Sequence, residues 1–207
     1  MSERQIKPVS DSKDKHQSYQ NLLGRYSKAI KDGFYFEAIL ITYSMLEDRL
    51  ISFLYYCGFF ETRDSLKLSK KVKPDIAGIV YPDGVPDKWP TFNNISTKVI
   101  FSKALLNWAN TVSGKDIEDN KYLIELKNQL EGLDIGGFLD SLEKLDNWLA
   151  YRNEIMHSLM NKNLLSLYDN LKDKVEEGMA IARFIDNQER ILKKNGKVRK
   201  VIKLQNK

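Results

Sequence analysis

Arg152, Asn153 and His157 fall within six residues of one another in the stretch "DNWLAYRNEIMHSLMN", residues 146 to 161. Their side-chain types suit proton transfer and anion binding. A histidine, with a reference pKa of about 6.5, exchanges a proton near neutral pH. An arginine offers a planar fork of donors that matches a phosphate and stabilises charge building on it. An asparagine one turn from an imidazole can orient it or bind an anionic oxygen. Plainer readings stand beside these. Arg152 could be the buried partner of Glu47 or another acid, His157 could hydrogen-bond to a loop, and Asn153 could be an ordinary flank residue.

The element that carries them reads as a helix over 138 to 160. Phe138, Leu142, Leu145, Leu149, Met156 and Leu159 recur in steps of three and four, with one double step, as a core-facing stripe does. The gap between Leu149 and Met156 lands on Arg152, a residue type seldom buried without a partner. At roughly 100° per residue, Asn153 and His157 lie within about 40° of each other. Asp146 shares their column, two turns below Asn153. Arg152 and His157 are about 140° apart by the same count, so one straight helix cannot aim both at a small target. A site at an interface, where the seam holding Arg152 meets its counterpart, fits this spacing better than a helix pair inside one monomer.

Other helices supply the surroundings. Residues 16 to 31 place Tyr19, Leu22, Leu23, Tyr26 and Ile30 on one side and close at Asp32-Gly33. Residues 34 to 57 carry the stripe Ile39, Tyr43, Leu46, Leu50, Phe53 and Cys57 and are apolar over much of the circumference, which predicts a central helix. Glu47, at the margin of that stripe, needs a partner there. From 60 to 96 the periodicity fails, and Pro74, Pro82, Pro86 and Pro90 predict successive turns in an irregular insertion. Helices resume over 97 to 112 (Phe101, Leu105, Trp108, Val112), 118 to 131, 138 to 160 and 163 to 192. The last carries Leu164, Tyr168, Leu171, Val175, Ala182 and Ile185, with Gly178 in line where another backbone could approach. No strand pattern or repeat is visible. The fold class expected is an all-α bundle of about five to six helices in one domain over 1 to 207.

Composition sets outer bounds. A chain of 207 residues with 42% hydrophobic and 29% charged residues is ordinary for a globular protein. The longest apolar stretch is interrupted by Glu37 and by Glu47-Asp48-Arg49, and the first residues have no signal-peptide core, which predicts a cytoplasmic chain and no membrane partner. The single cysteine, Cys57, cannot form an internal disulfide or build a zinc site by itself, and its apolar neighbours predict an inert buried thiol. The acids are scattered, and no Gly-rich run ends in Lys-Ser/Thr, so neither a metal nor a cofactor is expected. The net charge of +5 belongs to residues 193 to 207, which hold seven Lys/Arg and no acid. Setting these seven aside from 33 leaves 26 basic against 28 acidic residues, a body of net −2. The run comprises Lys193, Lys194, Lys197, Arg199, Lys200, Lys203 and Lys207. It reads first as a solvated basic tail and second as a weak contact for a polyanion such as RNA.

Arg152-Asn153-x-x-x-His157 resembles the R-x(4-6)-H motif of HEPN domains, in the form where asparagine follows the arginine and the motif lies on a late helix of an all-α bundle. The segment "FYFEAILITYSMLEDRLISFLYYCG" resembles an early helix of that family, with an acidic residue in its middle. In architecture the resemblance spans roughly 16 to 192, and it is specific over those two segments; the 60 to 96 insertion departs from it. The resemblance implies metal-independent RNA cleavage by a homodimer whose motif helices meet across a two-fold axis. Arg152, Asn153 and His157 would be catalytic and Glu47 and Asp146 supporting. RNA supplies its own nucleophile, the 2′-OH, and a dimer supplies a second histidine. It further implies a role in toxin–antitoxin or anti-phage defence, with a cognate antitoxin such as a nucleotidyltransferase. The competing expectation is a non-catalytic HEPN-like module that binds RNA, a nucleotide or a partner protein.

Overall fold

Helix α2 (Tyr35–Tyr56) is built as its sequence dictates. Ile39, Leu46, Leu50, Phe53 and Cys57 are fully buried, and so are Ala38 and Leu54 beside them. Burial also pushes the Cys57 thiol far above its usual pKa range, as an inert core cysteine requires. The computed structural model describes residues 12 to 63, 66 to 158 and 170 to 204. Around α2 stand α1 (Ser12–Lys31), α3 (Lys73–Val80), α4 (Ile95–Thr111), α5 (Lys121–Glu131), α6 (Ile135–Ser158), α7 (Leu171–Asn195) and α8 (Lys197–Leu204), with a 3-10 turn at Gly114–Ile117. The described residues hold no strand, only an isolated bridge between Phe60 and Leu68. None of their helices is long and apolar enough to cross a membrane.

Helices α2, α7, α6 and α4 each pack on the next and close a ring of four, with α1 laid on the outside of α2. Helix α6 runs against α2: Phe138 meets Phe53 with ring centroids 4.9 Å apart, while Arg152 near its other end reaches Tyr43. Helix α7 runs with α2, since Arg49 pairs with Asp186 at 2.8 Å and the Ser52 hydroxyl donates to Glu189 at 2.6 Å. Arg49 also reaches Glu189 at 3.2 Å and lies 4.0 Å over the Tyr19 ring, so one arginine ties α1, α2 and α7 together.

The all-α class stands, with eight helices among the described residues in place of the five or six expected. Of the stripes read from sequence, Leu159, Leu164 and Tyr168 lie outside those residues. The insertion is less irregular than its prolines suggest. Pro74 occupies the first turn of α3, where its missing N–H costs nothing. Phe60, Tyr81, Trp89 and Phe92 join Phe59 and Phe101 in a cluster of edge-to-face rings, with Phe92 to Phe101 at 4.9 Å and Phe60 to Phe92 at 5.0 Å. The insertion is thus part of the one hydrophobic core, joined to it through these rings on α4.

A second correction concerns the C-terminal run. Gly196 in the left-handed region (φ 51°) ends α7, and α8 begins at once. Its Val198, Val201 and Ile202 are 0 to 6% exposed. They pack on α5 and over Gly58, whose φ of 92° and missing Cβ leave room for them: a methyl built there would stand 2.6 Å from Ile202 Cδ1. Gln129 of α5 accepts from the Val198 amide at 3.2 Å. Arg199 turns inward, donating to the carbonyls of Phe60 at 2.8 Å and Glu61 at 3.0 Å and lying 4.0 Å over the Tyr55 ring. Lys197–Leu204 is a docked helix rather than a solvated end, and Arg199 is spent on holding it; Lys207 lies outside the described residues.

Gly178 is also met by a ring and not by a backbone. A Cβ there would stand 2.5 Å from the Trp148 indole, which is 1% exposed and donates Nε1–H to the Lys174 carbonyl at 2.7 Å. Gly178→Ala should therefore cost about 1 to 3 kcal/mol by overpacking. A urea melt checks this through a lower midpoint at unchanged slope; an unaltered midpoint would refute the close approach.

Candidate functional site

Two interrupted stripes face each other. In α2 the buried series Ile39, Leu46, Leu50, Phe53 is broken by Tyr43, which is half-buried. In α6 the series Phe138, Leu142, Leu145, Leu149 is buried, then Arg152 is half-buried. A second buried face, Trp148, Ile155 and Ser158, lies roughly a third of a turn round the helix and is the one that continues past Arg152. Met156, expected in the core, is only half-buried. The cause is Trp148: seating the indole against Gly178 rotates the packed face and leaves Arg152 at its edge. That resolves the oddity of a guanidinium in a packing seam.

The Arg152 guanidinium carbon lies 4.5 Å from the Tyr43 ring centroid, a stacking contact that a planar cation favours. Its Nη1 donates to Asn153 Oδ1 at 3.0 Å, while its buried Nε finds no acceptor among the described residues. Arginine carries five N–H donors, so most of this fork has no protein acceptor among the described residues. Burial, then the Glu47 carboxylate, raise the Tyr43 hydroxyl pKa, and Arg152 opposes them. Tyr43 is therefore a neutral platform, not an anion paired with the guanidinium.

Glu47 has another partner. Its Oε1 accepts from Lys98 Nζ at 2.7 Å, and the Lys98 side chain is 0% exposed, with a second bond to the Asn94 carbonyl at 3.2 Å. The Asn94 side chain in turn caps α4 by accepting from the Thr97 amide at 2.7 Å. The reading of Arg152 as the buried partner of Glu47 is overturned, because Lys98 holds that carboxylate. Lys98 was legible: it precedes Phe101, Leu105 and Trp108 at helical spacing, a charge on an apolar stripe just as Arg152 is. Lys98, Glu47 and Arg152 together leave a net charge of +1 around Tyr43.

Asp146 is drawn to α4, where Lys103 donates to Oδ2 at 2.6 Å, so its part is to tie α6 to α4. Asn153 and His157 are exposed on the outer column of α6, one turn apart. Arg152 and Asn153 are brought together by their hydrogen bond; His157 emerges about 140° from Arg152, as expected from the helical repeat. Among the described residues no group of three His, Cys, Asp or Glu side chains could hold a metal ion.

Comparison with known proteins returned no match to a family model, a curated protein or a solved structure.

Proposed function

We propose that this chain is a HEPN-like endoribonuclease acting as a homodimer, with Arg152 as the phosphate ligand and His157 as the proton carrier. The observation that carries the reading is the Arg152 guanidinium: half-buried, stacked on Tyr43 and, among the described residues, unpaired with any carboxylate. A cation so held is set up for an anion supplied from outside. Cleavage needs a base and an acid, and two chains supply them. His157 takes the proton of a ribose 2′-OH, whose oxygen attacks the adjacent phosphorus. The P–O5′ bond breaks, and the leaving oxygen takes a proton from the partner subunit's His157. Arg152 compensates the charge that grows on the phosphoryl oxygens. A setting in toxin–antitoxin or anti-phage defence, with an antitoxin such as a nucleotidyltransferase, rests on the resemblance alone.

Support for a dimer comes from the outer face. Ile100 of α4, 61% exposed, stands one turn before Lys103, whose ammonium reaches Asp146 in the column of Asn153 and His157. An apolar side chain beside that column suits a second copy laid across α6. Sedimentation showing a strict monomer at micromolar concentration would remove the composite site.

The test of the reaction is cleavage of RNA in excess chelator. Products ending in a 2′,3′-cyclic phosphate (or its opened form) and a 5′-hydroxyl are expected, and DNA, lacking the nucleophile, should be inert. A preparation free of contaminating nucleases that cuts only with a divalent metal would overturn the reading. One that binds RNA without cutting it would favour a non-catalytic module.

A further inference from the structure

Helix α8 has the composition of a membrane-surface peptide: Val198, Val201 and Ile202 on one side, lysines on the other. Its docking excludes that use. The apolar side is consumed by α5 and Gly58, so no hydrophobic face is left to enter a bilayer. What remains outside is charge. Lys193, Lys194, Lys197, Lys200 and Lys203 are all exposed, and none is ion-paired among the described residues. Lys197, Lys200 and Lys203 follow at three-residue steps, about 4.5 Å apart along the axis, on a helix pinned through Arg199 and Gln129. A rigid lysine row with no acid in it matches a chain of phosphates.

We propose that the exposed lysine row of α8 is a second nucleic-acid contact that holds the phosphates of a single RNA strand while Arg152 engages the same strand elsewhere. This rests on the reading of Arg152 as a phosphate ligand. The two contacts lie toward opposite ends of α2: Tyr43 marks one, and Gly58, under α8, marks the other. Fifteen residues of separation correspond to about 20 Å, or about six stacked nucleotides at roughly 3.4 Å each. The substrate class is therefore a strand longer than about six nucleotides, and shorter strands reach one contact at a time.

The experiment uses the full chain and 2′-O-methyl RNA strands, which bind but cannot be cut, so binding is read apart from catalysis. Wild-type affinity should rise at least ~10-fold between strands of about 4 and about 12 nucleotides as both contacts engage. In the Lys197→Gln/Lys200→Gln/Lys203→Gln variant the rise should vanish. The slope of log affinity against log salt for the longer strand should also fall by about 2, at roughly 0.7 for each phosphate that is no longer neutralised. These lysines are exposed, so an unchanged thermal midpoint certifies the fold; truncation would instead remove Val198, Val201 and Ile202 from the core. Equal affinities and slopes for variant and wild type overturn the proposal. So does lysine-dependent binding to phosphatidylcholine–phosphatidylserine vesicles without binding to RNA. If wild type binds with the expected length step yet never cuts ordinary RNA, the lysine row stands and the catalytic reading falls.

Discussion

Replacing His157 by alanine is expected to slow RNA cleavage by about 10²- to 10⁴-fold, the usual contribution of a positioned proton carrier, while RNA binding stays near wild type. The side chain is exposed at the end of α6, so its removal opens no cavity, and a thermal melt should show little change. Arg152 behaves differently. Arg152→Ala removes the proposed phosphate ligand and also the contact with Tyr43 and the bond to Asn153. It should lower both cleavage and affinity, and the oligomeric state must be followed beside them. Arg152→Lys is the sharper probe. It keeps the charge but loses the planar fork and the stacking, so cleavage should remain well below wild type. Combining His157→Ala with Arg152→Ala should cost little more than the worse single change, because groups acting on one phosphate are not additive. Cleavage by His157→Ala as fast as wild type would end the proposal.

The second large effect is one of stability. Glu47→Ala strands Lys98, whose side chain is 0% exposed and whose remaining partner is the Asn94 carbonyl. Breaking a buried pair from one side costs roughly 3 to 5 kcal/mol, and the 29% exposure of Glu47 puts this case near the lower end, about 3 kcal/mol. In a chain of 207 residues that is a fall of about 6 to 12 °C in Tm. Lys98→Met should cost far less, since it replaces the charge with an apolar chain and leaves the part-exposed Glu47 to water. Equal losses for the two variants would show that the pair matters as geometry and not as buried charge. Because Glu47 also faces Tyr43, any loss of cleavage in Glu47→Ala must be set against the fraction still folded.

Much of this was written in one dimension. The periods of α2 and of the first half of α6 are long and regular, and an apolar stripe of that length has one place to go, so Ile39, Leu46, Leu50, Phe138 and Leu142 are buried as their spacing requires. The same arithmetic set Arg152 and His157 on different sides of their helix. It also contained α8, since Gly196 followed by Val198, Val201 and Ile202 is a helix stop followed by an apolar face. The density of lysine hid that face.

The partners were decided by the tertiary structure. Nothing local distinguishes Lys98 from Arg152 as the mate of Glu47, for both are charges set on apolar stripes. The choice depends on how α4 and α6 are rotated about α2, and the rotation of α6 is fixed by one indole against one glycine, Trp148 on Gly178, brought together by the docking of α7. A side chain's own helix sets its direction through the 3.6-residue repeat, whereas its partner lies on another helix, and interhelical contacts follow from packing volume summed over the whole core. For that reason the sequence by itself determined that Arg152 would be anomalous, and only the assembled bundle determined that it would lie on Tyr43, bonded to Asn153 and, among the described residues, to no carboxylate.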